Sequence, residues 1–135
     1  MNPWKTNYKS DQGNVGLGRA IDYYTSYGIS SSLPLNDTQK YDLIVDKNNK
    51  LQRVSVKTTS QLTENKKYYR VQLKNSGGAS GKCKVRKFNN TSCDILFILT
   101  MSGTMYEIPS NLVNVGSMLT LNQNWDNYIV NINHP

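Results

Sequence analysis

Apolar residues recur at helical spacing early in the chain and at strand spacing afterwards. From Asn14 to Tyr27, the side chains of Leu17, Ala20, Ile21, Tyr24 and Tyr27 fall on one side of a 3.6-residue repeat, which predicts an amphipathic helix. Asn14 stands where a cap would begin that helix, and Gly28 where a glycine would end it. Ile29 to Leu33 reads as a short strand with Pro34 at its edge. Two β-prone runs, Tyr41 to Asp46 and Leu51 to Thr58, flank Lys47-Asn48-Asn49-Lys50. Asparagine tolerates the left-handed backbone of a tight turn, so the two runs predict a hairpin. A third strand is predicted from Tyr68 to Leu73, before the glycine- and serine-rich loop Asn75 to Gly81. Cys93 to Thr100 is the longest apolar run and reads as a buried strand, with Met105 to Ile108 as its hairpin partner across Ser102-Gly103. Pro109 opens a short helical turn, and Tyr128 to Ile132 carries a weaker strand pattern. One helix, a central sheet and scattered short elements predict an α/β or α+β domain. No repeat or boundary divides the chain, so residues 1–135 read as one domain, with residues 1–12 as an N-terminal arm.

Composition narrows the chemistry. The chain has 135 residues, 37% of them hydrophobic, enough for one modest core. No apolar run approaches the roughly 20 residues of a membrane span, and the polar start lacks a signal-like segment, so a cytoplasmic protein that avoids membranes is expected. Cys83 and Cys93 lack metal-site spacing, and the only histidine, His134, is next to the last residue. Ser-His-Asp, Cys-His and His-metal chemistry are therefore disfavoured, leaving carboxylates, lysine, tyrosine or hydroxyls. Ser76 to Cys83 (SGGASGKC) lacks the first glycine and the Ser/Thr of a phosphate-binding loop, so no nucleotide cofactor is expected.

Charge changes the picture most. Between Lys47 and Lys87 there are twelve basic residues and one acid, Glu64, and after Lys87 there is no Lys or Arg at all. Such a lopsided field attracts a polyanion to one part of the molecule, which favours nucleic acid as partner. Tyr68 and Tyr69 sit within the run, where an aromatic ring can stack on bases or fill the core.

The hairpin supplies a chemical constraint. With Asn48-Asn49 as the turn, Lys47 faces Lys50, Asp42 lies opposite Ser55, and Lys40 lies opposite Lys57. Alternation then puts Asp42, Ser55 and Lys57 on one face. A carboxylate oxygen suits a hard divalent cation, and a nearby lysine can orient or deprotonate water and offset charge on a phosphodiester. The same residues would also serve as an ordinary cross-strand ion pair, and spacing alone leaves both readings open.

The stretch from Gly13 to Ser60 resembles the small PD-(D/E)XK endonucleases related to group I intron homing endonucleases. Its most specific parts are Ser32-Leu33-Pro34-Leu35, the KYDLIVD hairpin strand from Lys40 to Asp46, and the strand ending Val56-Lys57-Thr58. The resemblance continues through YYRVQLKNSGGASG, CDILFILT and MYEIPS. It implies an α/β restriction-endonuclease-like fold, with a central mixed β-sheet flanked by helices, and Mg²⁺-dependent cleavage of double-stranded DNA, with Asp42 and Lys57 catalytic. In this picture Asp42 and the Val56 carbonyl ligate Mg²⁺, Lys57 positions the attacking water, and Ser55 holds a metal-bound water. Lys66, Lys67, Arg70, Lys74, Lys82, Lys84, Arg86 and Lys87 neutralise DNA phosphates. One active site cuts one strand, so double-strand cleavage implies a homo-oligomer, a dimer or tetramer, spanning two half-sites. Two positions depart from the family's pattern: Leu17 follows Gly-Asn-Val-Gly where members carry Glu, and Ser55 stands where they carry Glu or Gln. These departures frame a second expectation, a DNA-binding or interaction protein that keeps the nuclease fold without its catalysis.

Overall fold

The structure, a computed structural model, describes residues 2–5, 8–36, 38–76 and 85–132. Helix α1 (Lys9–Ser26) starts five residues earlier than the apolar stripe suggests. Its first turn is polar and faces solvent, so periodicity had no signal there; Tyr8 is the N-cap and Asn14 lies inside the helix. Asp11 in the first turn favours the positive end of the helix dipole. Residues 9–12 thus belong to the helix and not to an arm, and upstream of them Trp4 is buried in the core. Gly28 does end the helix: its φ is +73°, and the N–H groups of Gly28 and Ile29 close back on the carbonyls of Thr25 and Tyr24.

Among the described residues ten strands follow in chain order: β1 (Ser30–Ser32), β2 (Leu43–Lys47), β3 (Lys50–Thr59), β4 (Arg70–Gln72), β5 (Asn75–Ser76), β6 (Val85–Arg86), β7 (Ile95–Thr100), β8 (Met105–Pro109), β9 (Met118–Thr120) and β10 (Ile129–Val130). Short 3₁₀ turns occupy Ser110–Leu112 and Gln123–Tyr128. The central sheet has the order β1-β2-β3-β7-β8-β10, with β3 and β7 parallel and every other neighbour antiparallel. The β2–β3 register is the expected one, Lys47 opposite Lys50 and Leu43 opposite Val54. Asn48 and Asn49 both take positive φ, 57° and 60°, as a two-residue turn matched to strand twist requires. The predicted strand from Tyr68 to Leu73 shortens to β4 and lies outside the central sheet, paired with β9.

Two apolar layers enclose the sheet. On one face α1 packs Ala20, Tyr23 and Tyr24 against Leu43, Val45, Val54, Phe97 and Leu99. On the other, Leu96, Ile98 and Ile108 meet Val71 and Leu73 from the β4 segment and Val113, Leu119 and Leu121 from the tail. All six residues of β7 are buried because both faces are covered, which is why this strand reads as an unbroken apolar run. Among the described residues α1 is the only α-helix, so the second face is covered by the β4–β9 ribbon and the 3₁₀ segments. No described helix is long and apolar enough to cross a membrane.

The helix lies very close to β3. A Cβ added at Gly16 would stand 2.5 Å from Thr58 Cγ2 and 3.3 Å from Val56 Cγ1. Val56 and Thr58 therefore point to the helix, and alternation turns Ser55, Lys57 and Thr59 to the opposite face. Thr59 Oγ1 donates to the Arg70 carbonyl of β4, which tethers the β4 segment to that side.

Candidate active site

The site forms where β2 stops pairing with β3. In the hairpin's register the next backbone exchange beyond Leu43 and Val54 would join Tyr41 to Val56. The Asp42 N–H instead donates to the Val54 carbonyl at 2.9 Å, one residue out of register, so the ladder ends there. The Asp42 carboxylate then accepts the Val56 N–H at 2.7 Å, taking the place of the strand carbonyl. A residue's N–H and C=O leave a strand on the same edge, so the Val56 carbonyl also faces this gap beyond the last paired residue of β2.

Lys57 follows on β3, turned to the face opposite α1. Burial pulls its ammonium below the ordinary lysine pKa, and the Asp42 carboxylate opposes that shift. Ser55 is only 4% exposed and lines a small cavity with Lys40, Lys57, Lys87, Asn89 and Ser92. Beneath it lies the free thiol of Cys93, which burial pushes above its ordinary pKa. Asp42 opens on the other side, into a depression shared with Leu17, Leu33, Leu35 and Tyr41. Asp42 and Lys57 thus meet electrostatically while opening into neighbouring depressions, and Leu17 borders Asp42 as part of the helix's apolar face.

The basic residues separate into groups. Lys66 and Lys67 are exposed at the tip of a short hairpin whose arms are joined by Arg70 N–H to Gln61 O and Thr63 N–H to Tyr68 O, both 2.8 Å. Lys66 holds the turn in a left-handed conformation, φ 57°, and the Lys67 ammonium lies 5.4 Å from the centre of the Tyr68 ring. The Tyr68 hydroxyl donates to Gln123 Oε1, whereas Tyr69 packs on the second core. Arg70 and Lys74 are half-buried, and Arg70 Nε is shielded from solvent without a hydrogen-bond partner. Arg86 belongs to β6 by its backbone, and Lys82 and Lys84 lie outside the described residues. Lys87, by contrast, reaches the cavity of Lys57.

A sequence model for the PD-(D/E)XK endonuclease matches residues 6–125, nearly the whole chain. The chain belongs to the PD-(D/E)XK endonuclease family. The mixed six-stranded sheet with α1 on one face is the PD-(D/E)XK nuclease fold. It is similar to the structure of a bacterial homing endonuclease, I-Ssp6803I, with a TM-score of 0.73 and 20% identity, over 87% of this chain and 80% of that one. No curated protein sequence matches the chain.

Within this PD-(D/E)XK chain, sequence reasoning assigned no role to Lys40 or Asn89, yet both line the cavity of Lys57. A signal existed for Lys40, which stands opposite Lys57 when the hairpin register is extended. The Asn89-Asn90-Thr91-Ser92 run shows its turn chemistry, but nothing local says that the turn faces β3.

Proposed function

We propose that the protein is a Mg²⁺-dependent DNA endonuclease of homing type that hydrolyses phosphodiester bonds at a specific duplex site, acting as a homo-oligomer. The observation that carries this reading is the hydrogen bond from Val56 N–H to the Asp42 carboxylate, one residue before a lysine in electrostatic contact with that carboxylate. The bond fixes Asp42 by one oxygen at the end of a broken ladder. The other oxygen and the Val56 carbonyl form a hard-oxygen pair. Mg²⁺ is commonly held by one or two carboxylates, with waters and substrate phosphates completing its shell, so these two residues fit it. When bound, the ion supplies Lewis-acid polarisation of the phosphate.

The chain's own groups do the rest. Lys57, partly desolvated, offsets negative charge that grows on the phosphate and orients the attacking water. Its lowered pKa brings the neutral amine, able to accept a proton from that water, closer to neutral pH. Ser55 contributes a neutral hydroxyl next to Lys57, a hydrogen-bonding group for water. Lys66 and Lys67, exposed on their hairpin tip, contact backbone phosphates.

A second reading, a DNA-binding protein without hydrolysis, has its own support. Among the described residues no group of three or more His, Cys, Asp and Glu gathers to hold a metal; Asp42 shares its depression with Leu17, and Lys57 its cavity with Ser55, where further acids or amides would strengthen the site. Incubation of the protein with supercoiled plasmid carrying its native locus, with Mg²⁺ and with EDTA, separates the two. Nicking or linearisation that needs Mg²⁺ and is lost in Asp42→Asn establishes the endonuclease. Salt-sensitive DNA binding without any cleavage establishes the second reading.

A further inference from the structure

The cavity on the Lys57 side of the site has a composition of its own. It is lined by Lys40, Ser55, Lys57, Lys87, Asn89 and Ser92, with Phe88 beside them, and among the described residues no carboxylate belongs to its wall. Its volume is about 40 Å³, more than one water needs. Three lysines line this space, and the Asp42 carboxylate that acts on Lys57 lies outside its wall.

The wall opposite β3 is held firmly. The Phe88 N–H donates to Gly116 O at 2.7 Å, Asn90 Nδ2 donates to Val113 O at 3.0 Å, and the Ser110 hydroxyl donates to both Asn90 O and Cys93 O. Asn89 Oδ1 accepts from the Thr91 N–H at 3.0 Å and from Thr91 Oγ1 at 2.7 Å. With its oxygen committed to Thr91, the Asn89 amide keeps its NH₂ donors for another partner. The Lys87 stem lies along Gly116, where an added Cβ would come 3.2 Å from Lys87 Cβ. The arrangement is donor-rich and set in place by bonds that do not involve the cavity itself.

We propose that this cavity is a phosphate seat: Lys40, Lys87 and Asn89, together with Lys57, hold one phosphodiester group of the DNA backbone adjacent to the group facing Asp42. Lys40, Lys87 and Asn89 are positioning residues that fix the register of the strand against Asp42 and Lys57. The inference rests on the endonuclease reading for the identity of the anion's source, and on the cavity alone for its chemistry.

The test titrates inorganic phosphate into the ¹⁵N-labelled protein and follows backbone amide shifts. Saturable shifts confined to Ser55, Lys57, Asn89 and neighbouring amides are expected. They should weaken at least fivefold in Lys40→Ala/Lys87→Ala, whose side chains are exposed enough to be removed without unfolding the domain. Gly116→Ala, which crowds the Lys87 stem, should weaken them too. Addition of a duplex oligonucleotide should displace the phosphate. Diffuse shifts, or affinity unchanged in the double variant, overturn the seat, and phosphate that stays bound beside the duplex overturns its assignment to the DNA backbone. Plasmid cleavage run in parallel keeps the two readings apart. Cleavage without phosphate capture removes the seat and leaves the endonuclease; phosphate capture without cleavage does the reverse.

Discussion

Asp42 and Val56, fourteen residues apart, are joined by a hydrogen bond of 2.7 Å in which a side-chain carboxylate accepts a β-strand N–H. Through this bond an N–H inside β3 holds the carboxylate that stands just before β2. Asp42→Asn keeps an oxygen able to accept this N–H and removes only the charge. It should leave thermal stability within about 1 kcal/mol of the parent while lowering Mg²⁺-dependent plasmid cleavage by at least about a hundredfold. Equal cleavage by parent and variant would remove Asp42 from the chemistry.

Lys57 gives a pH-dependent prediction. Its pKa is lowered by burial, so the folded protein binds the lysine proton less readily than the unfolded chain does. Below the lowered pKa the fold bears the cost of a buried charge; as pH rises towards the ordinary lysine value of 10.5, that cost disappears. Lys57→Met should therefore raise stability near neutral pH by about 1 kcal/mol, with the gain shrinking as pH approaches 10, while cleavage is lost. Denaturant unfolding of both proteins across that range reads the difference directly. A gain that grows with pH contradicts the assignment.

The close approach of α1 to β3 makes Gly16 a sensitive position. Gly16→Ala places a methyl 2.5 Å from Thr58 Cγ2, so the helix must move or the strand must bend. A loss of about 1–3 kcal/mol in unfolding free energy is expected, as for other overpacked contacts. Because Thr58 adjoins Lys57, cleavage per folded molecule should fall as well, which a temperature series below the melting transition can measure. The neighbouring Gly18, with nothing within 4 Å of an added Cβ, should accept Ala without loss.

Lys66 and Lys67 should act through salt-dependent binding and leave chemistry untouched. If each neutralises one phosphate, Lys66→Ala/Lys67→Ala should reduce the slope of log affinity against log salt by about 1.8. Fluorescence anisotropy with labelled duplex provides that slope. An unchanged slope would place the hairpin tip away from the DNA.

Much of this architecture was legible in the sequence because local rules and tertiary context agreed. Asn48-Asn49 could make only a few kinds of turn, and that turn fixed the register that brings Asp42 near Lys57. The unbroken run from Ile95 to Thr100 announced a strand covered on both faces. The start of α1 was hidden because its first turn is solvent-facing and carries no periodicity. The pairing of Arg70–Gln72 with Met118–Thr120 joins segments nearly fifty residues apart, which no local pattern encodes. For the same reason the approach of Lys87 and Asn89 to Lys57 could not be read: their loop is placed by bonds to Gly116, Val113 and Ser110.

The parallel neighbours β3 and β7 are separated in sequence by residues 60–94, which hold half of the sixteen Lys and Arg side chains. This long detour leaves the sheet and returns to it, and among its described residues Tyr69, Val71, Leu73 and Phe88 pack on the second core. Its exposed positions, such as Lys66 and Lys67 at the hairpin tip, can be rewritten without disturbing the strands that carry Asp42 and Lys57. The basic surface and the strands that carry Asp42 and Lys57 are thereby free to evolve at different speeds in one small domain.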